Sequence, residues 1–142
     1  MRVLIVEDDM VVAGSLGPVV TAAGHELVGL AADRDTAVEL LASAGVHLAL
    51  IDLRLADGWT GADVARAAAR HDVAAVFTTA NPTLLPSDFA DALGVIPKPY
   101  SSQQVKAALD YIAERMADEA HDAVPPRCLH LGPRWLASAE TA

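Results

Sequence analysis

The stretch Val3-Leu4-Ile5-Val6-Glu7-Asp8-Asp9 joins four apolar residues directly to three acidic ones. A short apolar run rich in β-branched residues and bounded by polar residues predicts a buried strand. The later stretch Val46-His47-Leu48-Ala49-Leu50-Ile51-Asp52 has the same form, and its apolar residues serve both faces, as in a central parallel strand. In both stretches an apolar strand therefore ends in carboxylates.

Segments of helical period alternate with short apolar runs along the chain. Further strands are predicted at 26–31, 73–77 and 94–96, and helices from Asp9 to about Ala23, from Asp33 or Asp35 to before Gly45, from Thr60-Gly61 to His71, and from Ser101 or Ser102 to about 118. Strands that alternate with helices form parallel βαβ units. We therefore expect an α/β protein with a doubly wound, five-stranded parallel sheet covered by helices on both faces.

The first helix contains residues that fit a helix interior poorly, namely Gly14, Gly17 and Pro18. A proline so deep in a helix removes one backbone donor and clashes with the preceding turn. We therefore expect a kink or break near residues 14–18.

Composition restricts the function classes. The chain has 142 residues, is 53% hydrophobic and carries a formal charge of −9. An acidic chain lacks the basic surface that nucleic acids and anionic membranes require. The acids at residues 7–9 interrupt the first apolar run, so no signal peptide is expected, and a lone Cys128 fits a reducing compartment. We expect a soluble cytoplasmic protein that binds neither nucleic acid nor membrane.

The carboxyl-terminal stretch differs from the rest of the chain. It contains Val124-Pro125-Pro126 and Gly132-Pro133 and shows little period, and its apolar residues could dock on the domain; they are Leu129, Leu131, Trp135 and Leu136. Twenty-odd residues cannot form a second domain. We expect one domain over residues 1–118, followed by a tail over 119–142 with no effector domain.

Chemically active side chains collect where the predicted strands end. Glu7 and Asp8 follow the first strand, Asp52 the third, Thr79 the fourth and Lys98 the fifth. Ligands bind at the carboxyl ends of parallel strands in such sheets. Converging carboxylates repel each other, and Mg²⁺ with its preference for oxygen ligands relieves that repulsion. A lysine and a hydroxyl nearby are groups that a bound phosphoryl group needs.

These motifs resemble the response-regulator receiver domain of bacterial two-component signalling. The resemblance covers residues 2 to about 117 and rests on four words in order: Leu4-Ile5-Val6-Glu7-Asp8-Asp9, Leu50-Ile51-Asp52-Leu53-Arg54-Leu55, Thr79-Ala80 and Lys98-Pro99-Tyr100. It implies a flavodoxin-like fold with strand order 2-1-3-4-5.

The resemblance also implies roles for individual residues. Asp52 would accept a phosphoryl group from a phosphohistidine of a sensor histidine kinase or a histidine phosphotransfer protein. Asp8 would bind Mg²⁺ directly, Glu7 mostly through water, and the Arg54 carbonyl would be a further ligand. Thr79 would hydrogen-bond the phosphoryl group.

By the same resemblance, Lys98 would pair with a phosphoryl oxygen and would precede a cis Lys98–Pro99 bond. An in-line transfer of this kind needs a nucleophile, a metal and positioned cations more than it needs acid–base groups.

Several positions depart from the family pattern. Ala56 replaces a usual proline in a loop, residues 55–61, that is one residue longer than the common form, and Val95 stands where the family often has an aromatic switch. Residues 81–93, with two prolines, predict a shortened or irregular fourth helix. In many receivers that region belongs to the output and dimer surface, so we expect this surface to be remodelled.

Three functions remain open at this point. The first is a single-domain response regulator that catalyses its own phosphorylation and dephosphorylation and signals through a downstream protein, rather than a conventional enzyme. The second is a receiver-like interaction module that is not phosphorylated. The third is an aspartyl-phosphate phosphohydrolase, which Arg54 disfavours because it stands where such enzymes have an acid–base Asp and cannot shuttle protons. Taken singly, the acids and Thr79 could also be helix caps or solvated strand ends.

Overall fold

A computed structural model describes residues 1–118 and 123–136 of the chain. The strands are β1 (Arg2–Val6), β2 (Glu26–Ala31), β3 (Leu48–Ile51), β4 (Ala74–Thr79), β5 (Gly94–Pro97) and β6 (His130–Leu131). The helices are α1 (Met10–Ala22), α2 (Arg34–Ser43), α3 (Gly61–Arg70) and α4 (Ser102–Ala117), with two 3₁₀ turns at Pro82–Leu84 and Phe89–Asp91.

The strands form one sheet with the order β2-β1-β3-β4-β5-β6. The first five strands pair in parallel, which confirms the doubly wound, flavodoxin-like order 2-1-3-4-5. The sixth strand was not expected: it comes from the carboxyl-terminal stretch and pairs antiparallel with β5. Two residues are too few to show the alternating pattern by which a strand is recognised in a sequence.

The core lies on both faces of this sheet. One apolar cluster joins the sheet to α2 and α3, and the other joins it to α1 and α4. All four residues of β3 are buried, as expected of a central strand. Within residues 1–118 and 123–136, no helix has the length and apolar character needed to cross a membrane.

Side-chain caps fix where the helices begin. The Asp9 carboxylate accepts hydrogen bonds from the first turn of α1, and Asp33 rather than Asp35 caps α2. Ser101 rather than Ser102 caps α4 and forms a capping box with Gln104. These caps determine the first residues of α1, α2 and α4.

The first helix is not broken at residues 14–18. It continues from Met10 to Ala22 with Pro18 inside. The hydrogen bond that Pro18 cannot make would have reached the carbonyl of Gly14, and both residues are exposed, so water can take that carbonyl.

The sequence predicts a shortened or irregular fourth helix between β4 and β5, and the structure confirms this. Only the two 3₁₀ turns form there. The helix labelled α4 follows β5 instead. In the second turn three successive residues, Phe89, Ala90 and Asp91, have φ values of 54°, 49° and 66°. Non-glycine residues seldom adopt this left-handed region, so the turn depends on contacts with its surroundings.

Candidate functional site

The sheet register brings the predicted acids together. Val6 of β1 pairs with Ile51 of β3, so Glu7 and Asp52 follow neighbouring strands at the same edge of the sheet. The Asp52 amide donates to the Val6 carbonyl across 2.9 Å, which continues the ladder up to the acid. Two side chains 45 positions apart in sequence thus project from adjacent strand ends.

Glu7 is the most enclosed acid of the site, with 2% of its surface exposed. One carboxylate oxygen accepts from the Asp9 amide at 3.2 Å, and the other accepts from Lys98 Nζ at 2.9 Å. Burial raises the pKa of Glu7, the nearby Asp52 charge adds to the effect, and the Lys98 hydrogen bond opposes it. Lys98 is therefore the strongest of the influences that favour the charged form of Glu7, and burial, which opposes it, is stronger.

Lys98 completes the arrangement from the end of β5. Its Nζ also donates to Asp52 Oδ2 at 3.0 Å, so a single ammonium joins both carboxylates. Burial alone would lower the pKa of Lys98, but the two acidic partners outweigh it and raise the pKa. The Lys98 amide donates to the Thr79 carbonyl, and the Lys98–Pro99 bond is cis, as the resemblance implied.

Three carboxylates offer a site for a hard cation. Glu7, Asp8 and Asp52 each contribute an oxygen, and these oxygens lie within 4.8 Å of one another. An oxygen-only donor set at this spacing fits Mg²⁺, which keeps several waters and takes few protein ligands. Because Lys98 also contacts two of these acids, cation and ammonium would share them.

The acids border an open cavity of about 220 Å³. Its lining residues are Glu7, Asp8, Asp9, Asp52, Arg54, Ala80, Asn81 and Lys98. Arg54, proposed as a carbonyl ligand, is thus at the cavity wall. A larger groove of about 570 Å³ lies between α2 and α3, where Arg34 pairs with Asp63 at 3.6 Å. Within the part of the chain that the structure describes, the acids of this groove do not form a three-residue cluster suited to a metal ion.

Thr79 lies behind this wall. It is fully buried and is not among the lining residues, while the next two residues along the chain are. Its Oγ1 accepts a hydrogen bond from the Asn81 amide at 3.0 Å. The structure thus brings together Glu7, Asp8, Asp52 and Lys98, with Thr79 adjacent but turned to its own loop.

The backbone beyond Asp52 depends on a glycine that the sequence reading did not single out. A Cβ on Gly61 would lie 2.6 Å from Leu53 Cα and would also clash with the Asp52 carbonyl. The Gly61 amide donates to the Leu53 carbonyl at 2.9 Å. The start of α3 therefore packs directly on the chain that carries Asp52; the only trace of this in the sequence is a glycine at a helix start.

Arg54 connects the cavity to a tryptophan. Its guanidinium lies 5.8 Å from the centre of the Trp59 ring, which is 55% exposed. Trp59 does not line the cavity itself, but it contacts a residue that does. It is therefore a suitable optical reporter for the site.

Known proteins share this architecture. The response regulator receiver domain profile matches residues 3–110. Phyllosphere-induced regulator PhyR of Methylorubrum extorquens is 32% identical over 129 residues, which cover 86% of this chain and 48% of that protein. The chain thus spans about half the length of this curated relative.

Solved structures of related proteins have the same fold. The receiver domain of Erythrobacter litoralis PhyR is 30% identical, with a TM-score of 0.69 over 87% of this chain and 95% of that chain. The anti-anti-sigma factor PhyR of Bartonella quintana is 27% identical, with a TM-score of 0.66 over 84% of this chain and 51% of that chain. With a matching profile over residues 3–110 and the same fold in these relatives, the chain belongs to the response regulator receiver domain family, a family of signalling proteins.

Proposed function

We propose that Asp52 accepts a phosphoryl group from a phosphohistidine, with Mg²⁺ as cofactor, and that the protein signals through protein–protein contacts. The observation that supports this best is the position of Lys98, whose Nζ joins Asp52 and Glu7 at 3.0 and 2.9 Å beside Asp8. A nucleophile, a cation site and a fixed ammonium meet at one cavity.

The reaction would be an in-line displacement. An Asp52 carboxylate oxygen forms the new bond to phosphorus, and the bond from phosphorus to the histidine nitrogen breaks, with its electron pair left on that nitrogen. Asp8, Asp52 and the Arg54 carbonyl would hold Mg²⁺ directly and Glu7 mostly through water, and the metal would supply positive charge that offsets the charge on the phosphoryl oxygens. Lys98 would exchange its contact with Asp52 for one with a phosphoryl oxygen.

Thr79 would recognise the product. Its hydroxyl can donate one hydrogen bond to a phosphoryl oxygen while its lone pairs remain acceptors. Because Thr79 is buried behind the cavity wall, this contact requires its side chain to move. The acyl phosphate on Asp52 would thereby be detected by the loop after β4.

The proposed partners are proteins. A sensor histidine kinase or histidine phosphotransfer protein would donate the phosphoryl group, and a downstream protein would receive the signal. PhyR of Bartonella quintana, a relative of known structure, is an anti-anti-sigma factor, and this supports a protein as the downstream partner. The net charge of −9 disfavours direct nucleic-acid binding. We propose that the protein is cytoplasmic, that residues 1–118 form the domain that receives the phosphoryl group, and that residues 119–142 form a tail.

The decisive experiment is phosphate incorporation from acetyl phosphate with Mg²⁺. We expect the wild type to gain one phosphoryl group by intact mass and Asp52→Asn to gain none. Asp110→Asn is the matched control, because Asp110 is a half-buried acid of α4 that pairs with Lys106 at 2.8 Å and does not line the cavity. Full labelling of Asp52→Asn would refute the assignment.

Metal binding distinguishes the proposed receiver function from an interaction module that is not phosphorylated. In a Trp135→Phe variant, Trp59 is the sole tryptophan, and its contact with Arg54 should make its fluorescence respond to Mg²⁺. A saturable response that Asp8→Asn abolishes supports the receiver function. A flat titration in both proteins supports the module.

A further inference from the structure

Residues 123–136, here called the strap, return along the sheet beyond α4. In β6, Leu131 pairs with Gly94 and His130 pairs with Val95, both of β5. A Cβ on Gly94 would lie 2.6 Å from the His130 carbonyl oxygen. The strap can therefore approach β5 this closely only because residue 94 is a glycine. The strap thus covers the hydrogen-bonding edge of β5.

Two anchors hold the strap. Leu129 is 3% exposed and joins the apolar cluster between the sheet and α4. Arg115 of α4 is also buried; its Nη2 donates to the Trp135 carbonyl at 2.6 Å, and its guanidinium lies 4.4 Å from the Trp135 ring centre. The Tyr111 ring meets Trp135 edge-on at 6.1 Å. The strap is therefore held on the domain by specific contacts at both ends.

Between these anchors the strap rests on the second 3₁₀ turn. The Gly132 amide donates to the Leu93 carbonyl at 2.8 Å, and Arg134 Nη1 donates to the Asp91 carbonyl at 3.2 Å. A Cβ on Gly132 would lie 2.8 Å from Phe89 Cδ2, so strap and turn are in direct contact. A shift of the turn would therefore disturb the strap.

That turn depends on its neighbours for its conformation. Phe89, Ala90 and Asp91 are all left-handed, a backbone that non-glycine residues sustain only when neighbours impose it. On the side of α3, Arg66 binds Asp88 at 3.1 and 3.3 Å and Asp91 at 3.5 Å. On the other side lies the strap. The turn and the strap thus hold each other in place.

The same segment begins at the functional site. The Asn81 amide donates to Thr79 Oγ1, and Asn81 lines the cavity. When the buried Thr79 hydroxyl moves to a phosphoryl group on Asp52, the Asn81 amide loses its acceptor. Under the proposed function, that loss would displace the start of residues 81–91, which end in the turn.

We propose that the strap is a displaceable cover of the β5 edge. Phosphorylation of Asp52, on which this inference rests through the proposed function, shifts residues 81–91 and withdraws the support beneath Gly132. The freed edge then receives an extended segment of a partner protein. The strap itself shows the chemistry of that segment: a strand that pairs antiparallel with β5 and places an apolar side chain in the pocket of Leu129. The requirement for glycine at position 132 holds only while Phe89 lies against it.

Hydrogen exchange on the full chain tests release. Beryllofluoride with Mg²⁺ serves as the phosphoryl analogue, and fluorine NMR reports its occupancy. We expect amide exchange over residues 129–132 to accelerate at least tenfold in the wild type and not at all in Asp52→Asn.

A labelled peptide of residues 126–136 that carries Gly132→Ala tests the freed edge, because its added methyl group meets Phe89 in the present turn and is accommodated only after the turn has shifted. We expect it to bind the beryllofluoride form and not the untreated protein. A Val95→Cys/His130→Cys variant in a Cys128→Ser background locks the strap, because paired antiparallel residues have the Cα spacing that a disulfide needs. Peptide binding should be absent in the oxidised lock and return on reduction.

The results of these experiments distinguish failure of the proposed function from failure of the inference about the strap. Failure of beryllofluoride to occupy the wild-type site overturns the proposed function and this inference with it. Occupancy with unchanged exchange over 129–132 overturns this inference alone. Accelerated exchange without peptide binding shows that the edge is not the docking site, which also overturns it.

Discussion

Lys98 Nζ lies 3.0 Å from Asp52 Oδ2, so the ammonium occupies one oxygen of the proposed nucleophile before any phosphoryl group arrives. The same ammonium contacts the buried Glu7, and both acids also belong to the cation site. Lys98 is therefore positioned to stabilise the metal-free domain and would compete with Mg²⁺ for the same oxygens.

The first prediction concerns Lys98→Met. The substitution leaves the buried Glu7 without its cationic partner, which costs about 1–3 kcal/mol of unfolding free energy in metal-free buffer. It also removes a competing positive charge, so Mg²⁺ should bind about tenfold more tightly and recover part of the loss. Urea denaturation with and without Mg²⁺ measures both effects.

Lys106→Met is the control, since Lys106 is the other lysine of the chain. Its ion pair with Asp110 lies on the exposed surface of α4 and should contribute about 0.3–0.5 kcal/mol, with no dependence on Mg²⁺. Equal losses in the two variants would contradict the role assigned to Lys98.

The second prediction concerns Gly61→Ala. The added methyl group meets the backbone at Leu53 and Asp52, which cannot move aside as a side chain can. We expect a loss of about 1–3 kcal/mol in unfolding free energy and slower labelling of Asp52 by acetyl phosphate, because the displaced chain carries the nucleophile. Denaturation and phosphorylation kinetics measure the two effects.

Gly14→Ala separates this clash from the general effect of replacing a glycine. Gly14 is exposed in α1 and a Cβ there meets nothing within 4 Å. Alanine should raise the unfolding free energy by about 0.5–1 kcal/mol through its better helix propensity. A stable, normally labelled Gly61→Ala protein would show that the packing at Leu53 does not matter.

The site was predictable where side chains follow from strand ends. Glu7, Asp52 and Lys98 come together because parallel strands end at the same edge. The orientation of Thr79 was not predictable, because whether a hydroxyl faces a cavity or its own loop depends on a side-chain rotamer and on the Asn81 amide. Nor was the packing at Gly61, which is set by a tertiary contact.

The same limit applies to the fold. The five parallel strands and the capping residues Asp9 and Ser101 follow from local pattern. The strand β6 does not, since its two residues pair only because Gly94 leaves room at the edge of β5. The continuity of α1 through Pro18 depends on solvent access to the Gly14 carbonyl, which sequence pattern does not express.

The third prediction concerns His25 and pH. Burial lowers the pKa of His25 from its ordinary 6.5, and the amino-terminal ammonium, 2.9 Å from Nδ1, lowers it further, which together outweigh the opposing effect of the Asp110 charge. The folded state thus binds its proton less readily than the unfolded state. The resulting stability is present above pH 6.5 and is lost as pH falls from there through the folded pKa.

Two measurements check this. The difference in unfolding free energy between the wild type and His25→Gln should shrink as pH is lowered from 7.5 to 5. The imidazole proton resonances of His25 should titrate below 6.5 in NMR spectra of the untagged chain. A midpoint at or above 6.5 would contradict the lowered pKa.

The fourth prediction concerns Asp72→Gly. Asp72 follows α3 with a φ of 56°, is exposed, and places a carboxylate at the negative end of the helix dipole. Glycine adopts this backbone without a Cβ penalty and removes the unfavourable charge, so unfolding free energy should rise by about 0.5–1 kcal/mol. Thermal and urea denaturation measure the gain.

Two further variants test whether the gain in unfolding free energy comes from the left-handed backbone at position 72 rather than from glycine in general. Ala107→Gly, at an exposed site inside α4, should lower the unfolding free energy by about 1 kcal/mol because glycine is a poor helix former. Asp72→Asn should fall between the wild type and Asp72→Gly, since it removes the charge and keeps the Cβ. If Asp72→Asn were as stable as Asp72→Gly, the charge at the helix end, and not the left-handed backbone, would account for the whole effect.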